Sequence, residues 1–242
     1  MIYSLFDSAA AYELSEDDQA GAVPPVEAVL FDFSNTIFKL IDVETWLRRF
    51  EASTGRALSA ELLEKTAGQL GETYLMPEVA AAQVGRDESA EQHRTALFTW
   101  FSHVDYLQGH EDTAYDLIAA PDAWVPYPDT EPLLRELRSR GIKTGIVSDF
   151  AWDVGVHMEH HGMLDLIDVR VVSYQHGTEK PDPVLFLAAC EQLGVDPRRT
   201  LMVGDNPTKD GGAAASGLRA YILPGEPRTG ERGLRHVLGF LE

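Results

Sequence analysis

The sequence predicts an α/β protein whose core is a doubly wound parallel sheet, with a block of helices inserted after the first strand. Two patterns indicate this fold class. From about residue 126 onward, short apolar runs of strand length alternate with segments whose apolar residues recur at helical spacing. Between about residues 38 and 125 the helical spacing continues, but strand signals are nearly absent. Strands that alternate with helices are joined by right-handed crossovers, which build a parallel sheet with helices on both faces.

The domain organisation follows from the same patterns. Residues 1–25 are acidic and close with two prolines, and we expect them to form a leader outside the core. Residues 26–37 and 126–242 are predicted to form the sheet domain, and residues 38–125 a helical domain of four or five helices.

The individual elements are predicted from their apolar periodicity. The first strand is expected at Val26–Phe33, where an apolar run ends in a polar turn. The later strands are expected at Ile142–Val147, near Val169–Val172, at Leu201–Val203 and at Ala220–Leu223. A helix is expected at Pro183–Leu193, and a terminal helix through Leu234–Leu241.

The composition excludes several classes of partner. The 242 residues include 20 basic and 39 acidic side chains, a formal net charge of −19. Such a surface repels the phosphates of nucleic acids and anionic lipids, so neither is expected as a partner. A small anionic substrate is compatible with it, because a lysine and a bound metal ion reverse the potential inside a pocket.

No apolar run approaches the roughly 18 residues that a membrane-spanning helix requires. The acidic N-terminus lacks the basic start of a secretory signal, so we expect a cytoplasmic protein. The single cysteine, Cys190, excludes an intramolecular disulfide, and its apolar neighbours predict a packed helix position.

Four segments place polar residues beside predicted strands or in a rigid turn. They are Asp32-Phe33-Ser34-Asn35-Thr36, Gly145-Ile146-Val147-Ser148-Asp149, Thr178-Glu179-Lys180-Pro181-Asp182-Pro183, and Gly204-Asp205-Asn206-Pro207-Thr208-Lys209-Asp210. Three of them follow strands, and the carboxyl ends of parallel strands meet at one edge of a sheet, where ligands bind. The segments therefore predict one polar site.

Each of these residues has a chemical and a structural interpretation. Asp32 is suited to act as a covalent nucleophile that forms an aspartyl-phosphate, or it caps the turn that follows it. The Ser148 hydroxyl and the Asp149 N–H can hold a phosphoryl oxygen, and the same residues are favoured helix caps. Lys180 can offset the charge of Asp32 and of a phosphoryl group, although an isolated lysine is usually a surface charge.

Asp205 and Asp210 stand five residues apart after a predicted strand. Oxygen ligands next to a third carboxylate suit Mg²⁺, which keeps several waters and needs few protein carboxylates. Turn formation and helix capping are the alternative.

His157 and His161 lie one helical turn apart, but the sequence offers them no further ligand at fitting spacing, so a helix face is favoured.

Together the four segments resemble the haloacid dehalogenase superfamily, with Asp-x-Asp-x-Thr, Ser/Thr, Lys and Gly-Asp-x-x-x-x-Asp in this order over about residues 27–225. The resemblance implies a Rossmann-like core with an α-helical cap of the C1 type. It also implies an Mg²⁺-dependent phosphatase of small phosphorylated metabolites.

By this resemblance Asp32 is the nucleophile and a metal ligand, and the Ser34 carbonyl and Asp205 are further ligands supported by Asp210. Asn35, Ser148, Asp149 and Lys180 bind the phosphoryl group.

Ser34 departs from the family pattern. Phosphatases of the superfamily usually carry an aspartate there, which protonates the leaving oxygen and then activates water. A serine cannot do this near neutral pH, and loss of a general acid–base typically costs about 10²–10⁴ in rate. Asn35 replaces the commoner glycine, and asparagine tolerates a positive φ better than most residues.

Three functions are compatible with these residues. The first is a Mg²⁺-dependent phosphohydrolase, either acting on substrates whose leaving group needs no proton or receiving the proton from the substrate or a cap residue. The second is a 2-haloacid dehalogenase or a phosphonate C–P hydrolase, and the third is a catalytically silent binding protein. Candidate pocket residues are Arg48, Arg49, Tyr74, His93, Arg94 and Trp100. The oligomeric state is not predictable from the sequence.

Overall fold

The computed structural model describes residues 24–225 and 230–241. Residues 1–23 of the predicted leader lie outside the described residues, so the leader stays a prediction.

The described residues form seven strands and nine α-helices. The strands are β1 (Ala28–Phe31), β2 (Phe38–Leu40), β3 (Trp124–Pro126), β4 (Lys143–Ser148), β5 (Val169–Val172), β6 (Thr200–Gly204) and β7 (Arg219–Ile222). The helices are α1 (Val43–Thr54), α2 (Ala60–Tyr74), α3 (Pro77–Ala82), α4 (Ala90–Phe101), α5 (Glu111–Ala119), α6 (Thr130–Ser139), α7 (Gly155–His160), α8 (Ser173–His176) and α9 (Pro183–Leu193). Short 3₁₀ helices lie between them, among them Arg86–Glu88 and Gly211–Ser216.

Five of the strands form a parallel sheet in the order β5-β4-β1-β6-β7. Both faces of this sheet are covered, because alternate residues of β1 pack in opposite directions. Val29 and Phe31 join a cluster that includes residues of α6 and α7, while Ala28 and Leu30 join one that includes α9. Full burial of a side chain of the size of Val29, Leu30 or Phe31 contributes about 1.5–3 kcal/mol. The predicted doubly wound parallel sheet is confirmed.

The strand order places a ligand crevice beside β1. The chain moves outward from β1 through β4 to β5, then returns to the other side of β1 with β6 and β7. The connection that leaves β1 and the connection that leaves β6 therefore run to opposite sides of the sheet. The crevice between the carboxyl ends of two such strands is where open α/β sheets bind ligands. Asp32 directly follows β1, and Asp205 directly follows β6.

Helices α1–α5 lie between β2 and β3, and we call the segment Val43–Ala119 the helical insertion. Three of its helices, α1, α2 and α4, begin at favoured caps: the side chains of Asp42, Ser59 and Ser89 each accept a hydrogen bond from a backbone N–H of the first turn. Its apolar core includes Trp46 and Phe101. That the insertion is a separate domain stays a prediction.

The antiparallel pair β2–β3 at the base of the insertion was not predicted. Its strands have three residues each, paired from Phe38↔Pro126 to Leu40↔Trp124. Three residues are too few for an alternating pattern to emerge from the sequence. The terminal helix also differs from expectation, because Leu234–Phe240 is 3₁₀ rather than α-helical.

Candidate active site

Asp32 lies at the centre of a buried polar cluster at the end of β1. Its backbone N–H donates to the carbonyl of Val203 at 2.9 Å, which aligns it with the end of β6. The Ser148 hydroxyl donates to Asp32 Oδ1 at 3.0 Å, and Lys180 Nζ contacts the same oxygen at 2.7 Å. Thr36 Oγ1 lies 3.4 Å from Oδ2. The cluster thus holds one carboxylate oxygen firmly and the other loosely.

Lys180 is buried between two carboxylates. Its Nζ lies 2.6 Å from Asp210 Oδ1 in addition to its contact with Asp32. Burial acts to lower the pKa of Lys180, but the carboxylates of Asp32, Asp210 and Asp149 outweigh it and raise the pKa. Lys180 therefore stays a cation in the folded protein.

Asp210 is held in place by the turn that precedes it. Its Oδ2 accepts the backbone N–H of Asn206 at 2.9 Å, leaving Oδ1 for Lys180. Gly204 makes room for it, because a Cβ at that position would lie 2.1 Å from Asp210 Cγ.

Three carboxylates come close enough to share a cation. One oxygen each from Asp32, Asp205 and Asp210 lies within 4.8 Å of the others. Burial raises the pKa of Asp32 to about 6, although the ammonium group of Lys180 opposes the shift, and burial also raises the pKa of Asp205. A divalent cation would relieve this clustering of buried negative charge, and an all-oxygen donor set fits Mg²⁺.

The turn after Asp32 adopts the backbone that its asparagine permits. Asn35 has a φ of 56°, and its N–H donates to the Phe38 carbonyl at 2.7 Å. The turn is also fastened from the far end of the chain, since Arg232 Nε donates to the Asn35 carbonyl at 2.7 Å. No motif in the sequence pointed to Arg232.

Asp149 supports the site through its carboxylate. Oδ1 accepts the backbone N–H of Lys180 at 2.8 Å, and Lys209 Nζ lies 2.8 Å from Oδ2 and 3.0 Å from a carboxylate oxygen of Glu179. These contacts connect the ends of β4 and β6 to the turn that carries Lys180. Sequence reasoning considered only the backbone N–H of Asp149, and it overlooked Lys209 although that residue directly precedes Asp210.

A cavity of about 170 Å³ lies between the sheet edge and the helical insertion. Its lining includes Ser34 and Asp149 from the sheet side, and Arg86, Asp87 and His93 from the insertion. Of these insertion residues, only His93 was a candidate from the sequence. Asp87 belongs to a three-residue 3₁₀ turn, which leaves no periodic signal.

A larger apolar cavity of about 500 Å³ adjoins the first, and Leu40, Trp100 and Ile118 line both. Tyr74 lines only the apolar one. Arg48, Arg49 and Arg94 instead pair with carboxylates, those of Glu51, Asp122 and Asp112 respectively.

His157 and His161 serve the packing of α7. His157 accepts the indole N–H of Trp152 at 2.8 Å and contacts the Pro121 carbonyl at 3.1 Å, while His161 contacts the Trp124 carbonyl at 2.8 Å. Cys190 is buried on α9.

Comparison with known proteins identifies the family. The family model of the haloacid dehalogenase-like hydrolases matches residues 26–217. The chain belongs to this family. The resemblance inferred from the four segments is thereby confirmed.

Several relatives of this chain are phosphatases. Over 116 residues it is 39% identical to a phosphoserine phosphatase of Thermus thermophilus, a match covering 45% of this chain and 42% of the relative. A longer match, 27% identical over 204 residues, covers 76% of this chain and 78% of a glyceraldehyde 3-phosphate phosphatase of Methanopyrus kandleri. The chain spans about half the length of two of the curated relatives it matches, 50% of a phosphatase of Mycobacterium tuberculosis and 42% of the Thermus phosphatase.

Solved structures of both phosphatases and dehalogenases share the fold. A phosphatase of the family from Thermococcus onnurineus has a TM-score of 0.57 and 26% identity, covering 88% of this chain and 98% of its own. The L-2-haloacid dehalogenase of Xanthobacter autotrophicus has a TM-score of 0.61 and 25% identity, covering 90% of this chain and 84% of its own.

Within the described residues, no helix combines the length and apolarity needed to cross a membrane.

Proposed function

We propose that the protein is a Mg²⁺-dependent phosphohydrolase of a small phosphorylated metabolite, acting in the cytoplasm through an aspartyl-phosphate on Asp32. One observation carries this proposal. Asp32 Oδ1 contacts both Ser148 Oγ and Lys180 Nζ, in a cluster that gathers two further carboxylates within 4.8 Å. This combines a positioned carboxylate nucleophile, groups that bind phosphoryl oxygens, and oxygen ligands for a cation.

In this mechanism Asp32 attacks phosphorus, and the bond to the leaving oxygen breaks. Ser148 and Lys180 orient Asp32 before the reaction, and they bind phosphoryl oxygens during it, together with the backbone N–H of Asp149. The N–H of Asn35 does not take part, because it donates to the Phe38 carbonyl. Asp210 is a positioning residue, because it holds Lys180 through the 2.6 Å contact. Water then hydrolyses the aspartyl-phosphate and regenerates Asp32.

The carboxylates of Asp32 and Asp205 and the carbonyl of Ser34 are the ligands we propose for Mg²⁺, with Asp210 beside them. Bound Mg²⁺ neutralises charge on the phosphoryl group and on the nucleophile. The proposed substrate class is supported by the relatives, two of which are named for small phosphorylated compounds.

Dehalogenation is the second candidate, because the Xanthobacter dehalogenase is as similar to this chain in structure as the Thermococcus phosphatase is. We place it second because displacement of halide by a carboxylate needs no cation, and the clustering of Asp205 and Asp210 next to Asp32 indicates one.

The test is phosphate release from a panel of acyl, aryl and alkyl phosphates, with Mg²⁺ and with a chelator. We expect metal-dependent turnover that Asp32→Asn abolishes and that Asp165→Asn, at a side chain 69% exposed, leaves unchanged. Acid-quenched protein should carry a covalent phosphate on Asp32. Turnover that survives Asp32→Asn would overturn the proposal, and halide release from a 2-haloacid without phosphate release would establish the second candidate.

A further inference from the structure

On an alkyl phosphate the proposed reaction needs a proton donor, and Ser34 does not supply one. An alkoxide leaves phosphorus poorly unless its oxygen is protonated, and a general acid contributes about 10²–10⁴ in rate. The side chain that follows Asp32 by two residues is the hydroxyl of Ser34, which cannot give up a proton near neutral pH.

The cavity that Ser34 lines holds two carboxyl groups among its described lining residues, those of Asp149 and Asp87. The carboxylate of Asp149 is occupied, since its oxygens accept from the Lys180 backbone and from Lys209. Asp87 comes from the helical insertion, and its residue is 7% exposed. Its carboxyl group has looser partners, because Oδ2 accepts from Arg86 Nε at 3.4 Å and Oδ1 lies 3.7 Å from His93 Nε2.

The backbone of Asp87 is fixed to the sheet side of the site. Its N–H donates to a carboxylate oxygen of Glu179 at 2.9 Å, and its carbonyl accepts from the Ser173 hydroxyl at 2.6 Å. Glu179 directly precedes Lys180, so the turn that carries Lys180 also locates Asp87. The backbone of Asp87 therefore has a defined position beside the turn whose Lys180 contacts Asp32.

We propose that Asp87 performs the proton transfers for which Ser34 is unsuited. Its carboxylic acid protonates the leaving oxygen as Asp32 bonds to phosphorus and the P–O bond to the leaving group breaks. The resulting Asp87 carboxylate then takes a proton from the water that attacks the aspartyl-phosphate, which restores the acid and releases phosphate. This role rests on the proposed phosphohydrolase activity.

The surroundings of Asp87 suit this alternation. Burial raises the pKa of Asp87 to about 6, against the opposing charge of Arg86, while Glu179 and Asp149 act in the same direction as burial. His93 Nε2 lies 3.7 Å from Asp87 Oδ1, and burial lowers the pKa of His93 to about 3, so this neighbour is neutral. Both forms of the carboxyl group are thus accessible near neutral pH.

The test compares Asp87→Asn with the wild type on alkyl phosphates and on p-nitrophenyl phosphate, whose leaving group needs no proton. On alkyl phosphates we expect a loss of about 10²–10⁴-fold in kcat. On p-nitrophenyl phosphate the first step should persist and the second should slow, giving a burst of one nitrophenol per enzyme and an accumulated aspartyl-phosphate. Glu88→Gln is the matched control, a carboxylate in the same turn that does not line the cavity.

Asp87→Glu keeps the carboxyl group and should recover part of the alkyl-phosphate activity without a burst, which guards against misfolding of the asparagine variant. Full activity of Asp87→Asn, or an equal loss on every leaving group without a burst, would overturn the proposal. Failure of the phosphohydrolase proposal itself would be recognised separately, because the wild type would then release no phosphate in a metal- and Asp32-dependent manner.

Discussion

Lys180 is the residue on which the contacts of the site converge. It is a buried ammonium group with Asp32 on one side and Asp210 on the other, and its own backbone is held by Asp149. Burying one unpaired charge costs free energy, but the carboxylates of Asp32 and Asp210 offset this cost for the ammonium group of Lys180. Removing one member of such a group leaves the other buried charges without a partner. The role of Lys180 therefore depends on partners that are distant in the sequence.

Replacing this cation should destabilise the protein strongly. In Lys180→Met the carboxylates of Asp32 and Asp210 would be left buried and repelling each other, so we expect a loss of about 3–5 kcal/mol in the free energy of unfolding without metal. Lys65→Met, which breaks an exposed pair with Asp105, should cost about 1 kcal/mol or less. Urea unfolding in chelator measures both. Equal effects of the two substitutions would contradict this account.

Substitution of Ser34 separates two sources of the proton, a carboxyl group at position 34 and the carboxyl group of Asp87. If Asp87 already supplies the proton, Ser34→Asp should change alkyl-phosphate hydrolysis little in the wild type. In the Asp87→Asn background the same substitution should raise it by about tenfold or more, because the two positions then share one function. A double-mutant cycle on kcat measures the coupling. If Ser34→Asp raised alkyl-phosphate hydrolysis strongly in the wild-type background, the wild type would lack a proton donor, and the role proposed for Asp87 would be wrong.

At the scale of elements, the site is built from turns that follow parallel strands. Strands β1, β4 and β6 are adjacent in the sheet, so their carboxyl ends bring Asp32, Ser148 and Asp205 together. The turn after β6 then folds back, and its backbone N–H at Asn206 fixes Asp210. The close approach of this turn to its own strand requires that Gly204 has no side chain.

Gly204→Ala tests this packing. The added Cβ would lie 2.1 Å from Asp210 Cγ, so Asp210 must move and its contact with Lys180 must lengthen. We expect a loss of about 1–3 kcal/mol in stability and at least about tenfold in turnover. Gly211→Ala is the matched control, because its Cβ would meet only Ile222 at 3.9 Å. Thermal unfolding and phosphate release measure the pair, and indistinguishable variants would refute the packing argument.

At the scale of the whole molecule, the helical insertion and the sheet meet over the site. Asp87 crosses this boundary, with its backbone bonded to Glu179 and Ser173 and its side chain in the cavity. A carboxyl group buried there favours its neutral form, so the folded state binds its proton more tightly than the unfolded chain. The folded state is therefore less stable when the Asp87 carboxyl group is charged.

This predicts a pH-dependent gain in stability for Asp87→Asn. Because the folded pKa of about 6 lies above the ordinary value of 3.8, the favourable contribution is present below pH 3.8 and is lost as the pH rises through 6. The asparagine variant should therefore be more stable than the wild type near neutral pH, by up to about 3 kcal/mol. Near about pH 4 the two should converge. Unfolding free energies across this range test it, and a uniform loss at every pH would contradict it.

The sequence by itself determined the sheet class and the family, because buried strands and helices leave distinct periodicities and the four polar segments keep their order. It also indicated Asp32, Ser148 and Asp205, since polar residues at the carboxyl ends of parallel strands must meet at one edge. Lys180 and Asp210 were indicated by the order of the four segments and their resemblance to the family. The roles of these residues, and a cytoplasmic location, stay predictions. Only the tertiary structure placed Asp87, Lys209 and Arg232 at the site or beside it. Their partners lie 92, 60 and 197 residues away along the chain, and no local pattern encodes contacts of that range.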